Sequence, residues 1–530
     1  MIFHNAVIVD CDGVGQEKAE AKAIAVKDGR IVDIGAEHSI RNAYRTKELV
    51  DVKQAVVYPG FIDAHAHFLG YALTKLEVDL VGTESFEQVL KRAKAFHDSQ
   101  TSEARETTWL SGRGWDQNDW DVKEYPTRAE LDEIFPTRPV AIRRIDGHAV
   151  LANRAALEVA GMIHTLYMEG GEIVVDEDGE LTGVLVDAAA DYLLSFKPEY
   201  DETVKRQALI DAEKDLFAVG LTSVVDAGLD VGDIRLINEM HESGELQIRV
   251  VAMSSGTESN IDSALAMGPW RTDRLIVESI KFYMDGALGS RGAALLEAYT
   301  DRPGHTGYLI QDSAQYHNWL EQAYEKGFQA CTHGIGDRAV RTVLEHYAKI
   351  LGGVNDRRWR VEHSQVVHSD DLELFAQSSV IPSVQPTHAT SDMYWAAERL
   401  GRGRIRRAYI YKDLQNILGI LPLGTDFPIE GISPISTFYA ATVRKDTSGF
   451  PAEGFNIDQA LDRNSALLGI TVWASIANNN DSEVGSIEKG KWADFTILDR
   501  NILTADANQI LETKVLRTVV AGQTTHLWEN

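Results

Sequence analysis

Two cysteines in 530 residues, Cys11 and Cys331, are too few and too far apart for a disulfide framework, so the fold must rest on its core. Long apolar runs are also missing. No uninterrupted stretch of about 18 apolar residues occurs, so no membrane span is expected. Positive charge is scarce: 52 Lys and Arg stand against 80 Asp and Glu, a formal net charge of −28. Nucleic acid and anionic membranes are recognised by clustered Lys and Arg, so neither is expected as a partner. The opening Met1-Ile2-Phe3-His4-Asn5 lacks a basic segment followed by an apolar run, which makes cytoplasmic the default location. Internal repeats and low-complexity segments are absent as well.

What is present is the composition of a globular enzyme, 44% hydrophobic and 25% charged. The chain is too long for one ordinary domain. Both ends read as β-structure. Ala23-Ile24-Ala25-Val26 and Ile31-Val32-Asp33-Ile34 flank Lys27-Asp28-Gly29-Arg30, a short hairpin signal. Residues 492–498 and 515–520, the latter followed by Ala521-Gly522-Gln523, repeat the pattern at the far end. Neither end can hold a core alone, so residues 1–57 and 476–530 are expected to join into one composite β-sandwich.

Between them strand-like and helical runs alternate, the α/β signature. Strands are expected over 56–65, 221–227, 247–253, 277–284, 328–333, 358–363, 380–385 and 417–425. Helices are expected over 203–219, 232–243, 313–326, 337–351 and 369–378. Eight alternating units imply a closed (β/α)₈ TIM-like barrel over 58–475. The stretch between its first two strands is far longer than a usual loop. It carries strand-like runs at 107–111, 140–145 and 172–175, and is expected to be an inserted lid subdomain, about 70–200, over the barrel mouth.

The chemistry sits where those strands end. His65 and His67 close the first strand, and residues two apart on a strand project together. An HxH pair alone is weak, but Pro59-Gly60-Phe61-Ile62-Asp63-Ala64-His65-Ala66-His67 as a whole is specific. His333, His363 and Asp426 end the fifth, sixth and eighth strands. Lys281 interrupts the apolar run of the fourth, where a bare ammonium is costly. Its structural alternative is a lysine snorkelling at the strand edge. Its functional reading is a carbamate formed with CO₂, an anion that bridges two divalent metals. Imidazole and carboxylate ligands without thiolate suit zinc, with manganese, iron or nickel as alternatives.

The ligand order resembles the binuclear amidohydrolases. PGFIDAHAH, IKFYMDGALGSRGA, THGIGDRAV, VEHSQ, SVQPTHATSD and LGTDFPIEGISP resemble the YtcJ-like branch, amidohydrolase family 3. GRGWDQNDW, YPTRAELDEIFPTRPV and RIDGHAVLAN in the insertion fit the same branch, so the resemblance covers essentially the whole chain. It implies that His65, His67 and Asp426 hold the more buried metal, that His333 and His363 hold the more exposed one, and that Lys281 bridges. It also implies Asp426 as the catalytic proton carrier.

Trp115, Asp116, His148, Asp285, Arg291, Gln385 and His388 fall in insertion or rim motifs. For Trp115, Asp116, His148, Gln385 and His388, structural hydrogen bonding competes evenly with substrate contact. Cys331 reads as a small buried residue.

The expected function is hydrolysis of an amide-type C–N bond in a small molecule, and a homodimer is compatible with it. Ring deamination is the alternative on the same barrel. Its usual glutamate, three residues after the fifth-strand histidine, is here Gly336, with Asp337 one further on. Ester or lactone hydrolysis would use the same centre. A metal-free binding protein would have lost ligands, and all six are present.

Overall fold

The computed structural model describes residues 1–9, 22–164, 168 and 170–529; Cys11 lies outside them. Its centre is a parallel sheet curled into a nearly closed barrel. The strands are β1 (Phe61–Ala66), β2 (Leu221–Leu229), β3 (Arg249–Ser255), β4 (Leu275–Tyr283), β5 (Gln329–Gly334), β6 (Arg360–His363) and β7 (Ile381–Ser383). They pair in chain order, each parallel to the next. These strands are buried along almost their whole length, as expected of a parallel sheet covered on both faces.

The eighth stave differs from expectation. Tyr411–Leu418 is a helix, so the first two residues of the expected strand over 417–425 belong to it. Gly419, at φ 77°, ends that helix in the left-handed conformation that glycine adopts without penalty. Only the following extended segment spans the gap, through single bonds rather than a ladder. Gly424 N donates to Val384 O (3.0 Å), Ala64 N to Leu423 O (3.2 Å) and Asp426 N to His65 O (2.7 Å). Asp63 reinforces this seam. Its carboxylate accepts from Thr425 N (3.0 Å), Thr425 Oγ1 (2.7 Å) and His65 N (3.1 Å).

Four of the expected helices occur at Glu202–Ala218, Val231–Ser243, Ser313–Lys326 and Asp337–Leu351. Asp312 caps the third by accepting from Ala314 N and Gln315 N, and Gly327 closes it. Asp337–Leu351 turns Val340, Val343, Leu344, Tyr347 and Leu351 inward, the spacing of an amphipathic helix. The helix expected over 369–378 is a 3₁₀ turn, Ser369–Asp371, running into Leu372–Gln377.

Strands from both ends of the chain share one sheet. Phe495–Leu498 lies antiparallel between Val56–Pro59 and Val515–Val520. Asp28 (φ 52°) and Gly29 (φ 77°) make the tight turn between Lys22–Lys27 and Arg30–Ala36. Phe3, Ile24, Val57, Phe495 and Val519 fill the core there. Between β1 and β2 in the chain lies a six-stranded sheet running from Val78–Asp79 to Gly171–Val175. Its first expected strand, over 107–111, is displaced to Leu110–Trp115 because Ser102–Thr107 is helical. Among the described residues no helix is long and apolar enough to cross a membrane.

Candidate metal centre

The C-terminal ends of the barrel strands surround a cavity of about 710 Å³. His67, Lys281, His333, His363 and Asp426 line it, and His65 lies directly beneath. The rings of His65 and His67 are 5.7 Å apart, those of His65 and His363 4.8 Å, and those of His333 and His363 4.5 Å. Lys281 Nζ is 3.3 Å from His65 Nε2 and 4.7 Å from the centroid of the Tyr283 ring. All six side chains with the expected ligand chemistry therefore meet at one place. The backbone turns sharply to bring two of them in. His363 (φ 70°) and Asp426 (φ 61°) both adopt the left-handed region that non-glycine residues rarely use.

These groups suit a cation. His65, His363 and Asp426 each offer a donor atom within 4.8 Å of the others. Asp426 Oδ1 is buried with His67 Nε2 at 3.1 Å and His65 Nε2 at 3.6 Å, and neither contact has the geometry of a good hydrogen bond. Burial holds His65 down to about 4, and it holds His333 and His363 well below the usual imidazole range, so all three rings are neutral at pH 7. Lys281 is likewise lowered by burial.

Each ring is aimed by its second nitrogen. His65 Nδ1 pairs with Glu362 Oε2 (2.6 Å), leaving Nε2 as the inward lone pair. His363 Nδ1 pairs with Gln385 Oε1 (2.8 Å). His333 Nε2 faces Gly286 O and Asp285 Oδ1, both at 3.5 Å, so its Nδ1 is the free donor. Glu362 is fully buried. Burial alone would raise its pKa, but Arg360 at 2.6 Å and His65 hold it well below the usual range.

The remaining expected site residues occupy different places. His388 lies in the cavity wall, with Nε2 3.2 Å from Asp426 Oδ2 and Nδ1 3.1 Å from Glu430 Oε1. His148 also lines the cavity; its ring is 5.2 Å from that of His333, and Nδ1 binds Asp187 Oδ1 at 2.7 Å. Asp116 lines it while bonded to Arg144 and capping Gln117–Asp119. Gln385 stands behind His363.

Like Gln385, three others are not in the wall. Trp115 is buried in the insertion's core, with Nε1 donating to Ile142 O (3.0 Å). Asp285 accepts from the backbone of Ala294, Ile335 and Gly336 and so braces the loops after β4 and β5. Arg291 pairs with Asp301.

Sequence reading missed Glu362, Asp63, Asp187 and Arg113. Glu362 had a signal: it sits two residues from Arg360 on a buried strand, an ion pair on one inward face. Asp187 had none, because its role depends on the close approach of Gly286 and Gly292, where a Cβ would meet its carboxylate at 2.4 and 2.2 Å.

A nearly closed parallel barrel with imidazoles and a carboxylate gathered at its C-terminal rim is the architecture of a barrel hydrolase. The chain belongs to the amidohydrolase family, whose model matches residues 48–526. It is 30% identical over 518 residues to the amidohydrolase-family protein YtcJ of Bacillus subtilis (strain 168), covering 96% of each chain. It is 28% identical over 528 residues to the N-substituted formamide deformylase of Arthrobacter pascens, covering 95% of this chain and 94% of that one. The crystal structure of an uncharacterized metal-dependent hydrolase from Pyrococcus horikoshii OT3 is similar throughout. It superposes with a TM-score of 0.77 at 27% identity, over 96% of this chain and 98% of that one.

Proposed function

We propose that this hydrolase is metal-dependent and cleaves an amide-type C–N bond, other than a peptide bond in a protein, in a small molecule. The observation that supports the reading is the convergence of the buried neutral rings of His65 and His363 with the Asp426 carboxylate, each offering a ligand atom within 4.8 Å of the others. The name of the Arthrobacter relative supports the choice of bond. In this reading His65, His67 and Asp426 hold the more buried of two zinc ions, His333 and His363 hold the more exposed one, and carbamylated Lys281 serves both. The neutral Nζ amine adds through its lone pair to the carbon of CO₂ and releases a proton, which turns a buried amine into an anion.

The cations supply Lewis acidity, lowering the pKa of water and polarising the substrate carbonyl. The chain does the rest. Asp426, whose Oδ2 is held by His388, accepts the proton of the attacking water and passes it to the leaving nitrogen. The amide R–CO–NH–R′ and water thus give R–COOH and R′–NH₂. Glu362 and Gln385 keep His65 and His363 from rotating. His148, with Nδ1 engaged by Asp187, offers Nε2 to the substrate.

The finer division of the chain belongs to the same proposal. It comprises a β-sandwich of residues 1–57 and 476–530, a barrel domain over 58–475, and a lid of about 70–200 that sets substrate choice. The partner is a small-molecule substrate rather than nucleic acid or membrane, in a cytoplasmic protein for which a homodimer is compatible. Elemental analysis of metal-loaded protein should return two zinc ions per chain, and a screen of N-formyl, N-acyl and cyclic amides should show turnover. At most one ion, or turnover of esters and lactones alone, would overturn the corresponding part.

A further inference from the structure

Apart from Lys281 of the centre, the cations in the cavity wall are matched by carboxylates, with one exception among the described residues. Arg144 is bonded to Asp116 and to Asp146 Oδ2 (2.6 Å). Lys75 pairs with Asp215, His148 with Asp187, and His388 with Asp426 and Glu430. Arg113 has none. Its Nη1 donates to Pro428 O and its Nη2 to Ile145 O (2.6 Å), both neutral carbonyls. Among the described residues no carboxylate lies within 4.0 Å of it. Yet the residue is only 8% exposed, and its accessible part faces the cavity. A buried guanidinium without a carboxylate in contact is expensive, and here burial, reinforced by Arg143 and only partly offset by the more distant Asp426, Asp146 and Glu77, lowers its pKa to about 10.

The local sequence forces the side chain into this position. Arg113 lies between Gly112 and Gly114 on the insertion strand Leu110–Trp115. A Cβ at Gly112 would meet Val78 at 3.0 Å, and one at Gly114 would meet Val81 at 2.5 Å, so the other face of the strand is pressed against its neighbour. The arginine must then project to the opposite side. There it crosses from the insertion to Pro428, two residues past Asp426. The carboxylates nearby are already engaged: Asp116 and Asp146 by Arg144, Asp426 by His67 and His388, Glu77 by Lys197, Glu430 by His388 and Ser391, and Asp392 by Tyr409.

We infer that Arg113 receives a carboxylate carried by the substrate, so that the natural substrates are amides of acidic small molecules, such as N-acylated amino acids, and not neutral amides. The inference rests on the amide-hydrolysis reading above for the identity of the bond. A guanidinium offers a planar fork that matches a carboxylate, and such a pair on a side chain this buried discriminates strongly against a neutral analogue.

The test separates binding from turnover. Levulinate is N-acetylglycine with CH₂ in place of NH, and it cannot be hydrolysed. Calorimetric titration of metal-loaded, full-length protein with levulinate, its two next longer homologues, and the carboxamide of each measures the preference for a charged end. At least one acid should bind about 10- to 100-fold tighter than its carboxamide. Arg113→Met should abolish that preference while leaving carboxamide binding in place, and Arg113→Lys should keep part of it. Equal binding of acid and carboxamide throughout the series overturns the assignment. So does a preference that survives Arg113→Met, because the acid is then held by the metals. Hydrolysis of N-acetylglycine and its carboxamide is read separately. Discrimination among the inert probes without turnover of any amide would sink the C–N reading and leave Arg113 standing. Equal turnover of acid and carboxamide would do the reverse.

Discussion

The two ends of the barrel bury polar side chains by opposite rules. At the N-terminal end donors meet acceptors. Arg249 donates to both oxygens of Asp494 at 2.6 and 3.2 Å and stacks on Trp492 at 4.5 Å. Gln329 Nε2 donates to Ala477 O (2.9 Å), and Arg360 Nη1 to Asn478 Oδ1 (2.9 Å). At the C-terminal end acceptors face acceptors, with His65, His363 and Asp426 converging on one point. Folding by itself favours the first arrangement and penalises the second. The difference teaches where to look for function: not at buried charge as such, but at buried lone pairs turned toward one point.

The comparison can be broken most sharply at Asp426. Asp426→Asn should cut kcat by about 10²- to 10⁴-fold, measured on any amide the enzyme turns over, with the thermal midpoint preserved. Near-normal kcat would remove Asp426 from the mechanism. Next comes Lys281→Ala, which should lower metal affinity by more than about 100-fold, read as zinc per chain after dialysis. A short carboxylic acid added to this variant should restore part of the metal and the activity. Two tightly bound ions in Lys281→Ala would make the lysine a packing residue.

The opposite end should respond in stability instead. Arg249→Ala strands the Asp494 carboxylate and should cost about 3–5 kcal/mol in denaturant unfolding, with the metal content of the folded fraction unchanged. Loss of metal at constant stability would erase the contrast between the ends. The smallest effect is expected at His148→Asn, which should change the ratio of kcat/KM between two amides by about tenfold while sparing metal content. Trp115→Phe should act only through packing of the insertion, so its selectivity should shift less than that of His148→Asn.

The six converging residues were legible because each stands at the end of, or alone within, an apolar strand, where a titratable side chain has few structural uses. The groups that aim them were not. Glu362 had a local signal in Arg360, but its role in aiming a ring depends on His65, which is 297 positions away. Arg113 lies between two glycines, a pattern that reads as loop until Val78 and Val81 are seen pressing on the strand. Periodicity also misplaced the eighth stave. Ile417 and Leu418 are as apolar as the barrel residues that follow, and only the left-handed Gly419 divides helix from stave. Arg291 looked free to reach the site because its partner, Asp301, lies ten residues on in an irregular loop.

The seam between Val56–Pro59 and Phe495–Leu498 bears on how the molecule is made. The bond from Phe61 N to Thr496 Oγ1 spans 435 residues, so nearly the whole chain must leave the ribosome before the first barrel strand gains its outer neighbour. Contacts of such long range form late and slowly. A nascent chain stopped before residue 495 would already hold all six converging residues but would leave the edge of Val56–Pro59 open, just upstream of His65 and His67. The strand that covers this edge is therefore supplied long after the edge itself is made, and a product truncated between the two would expose a sticky edge beside the barrel.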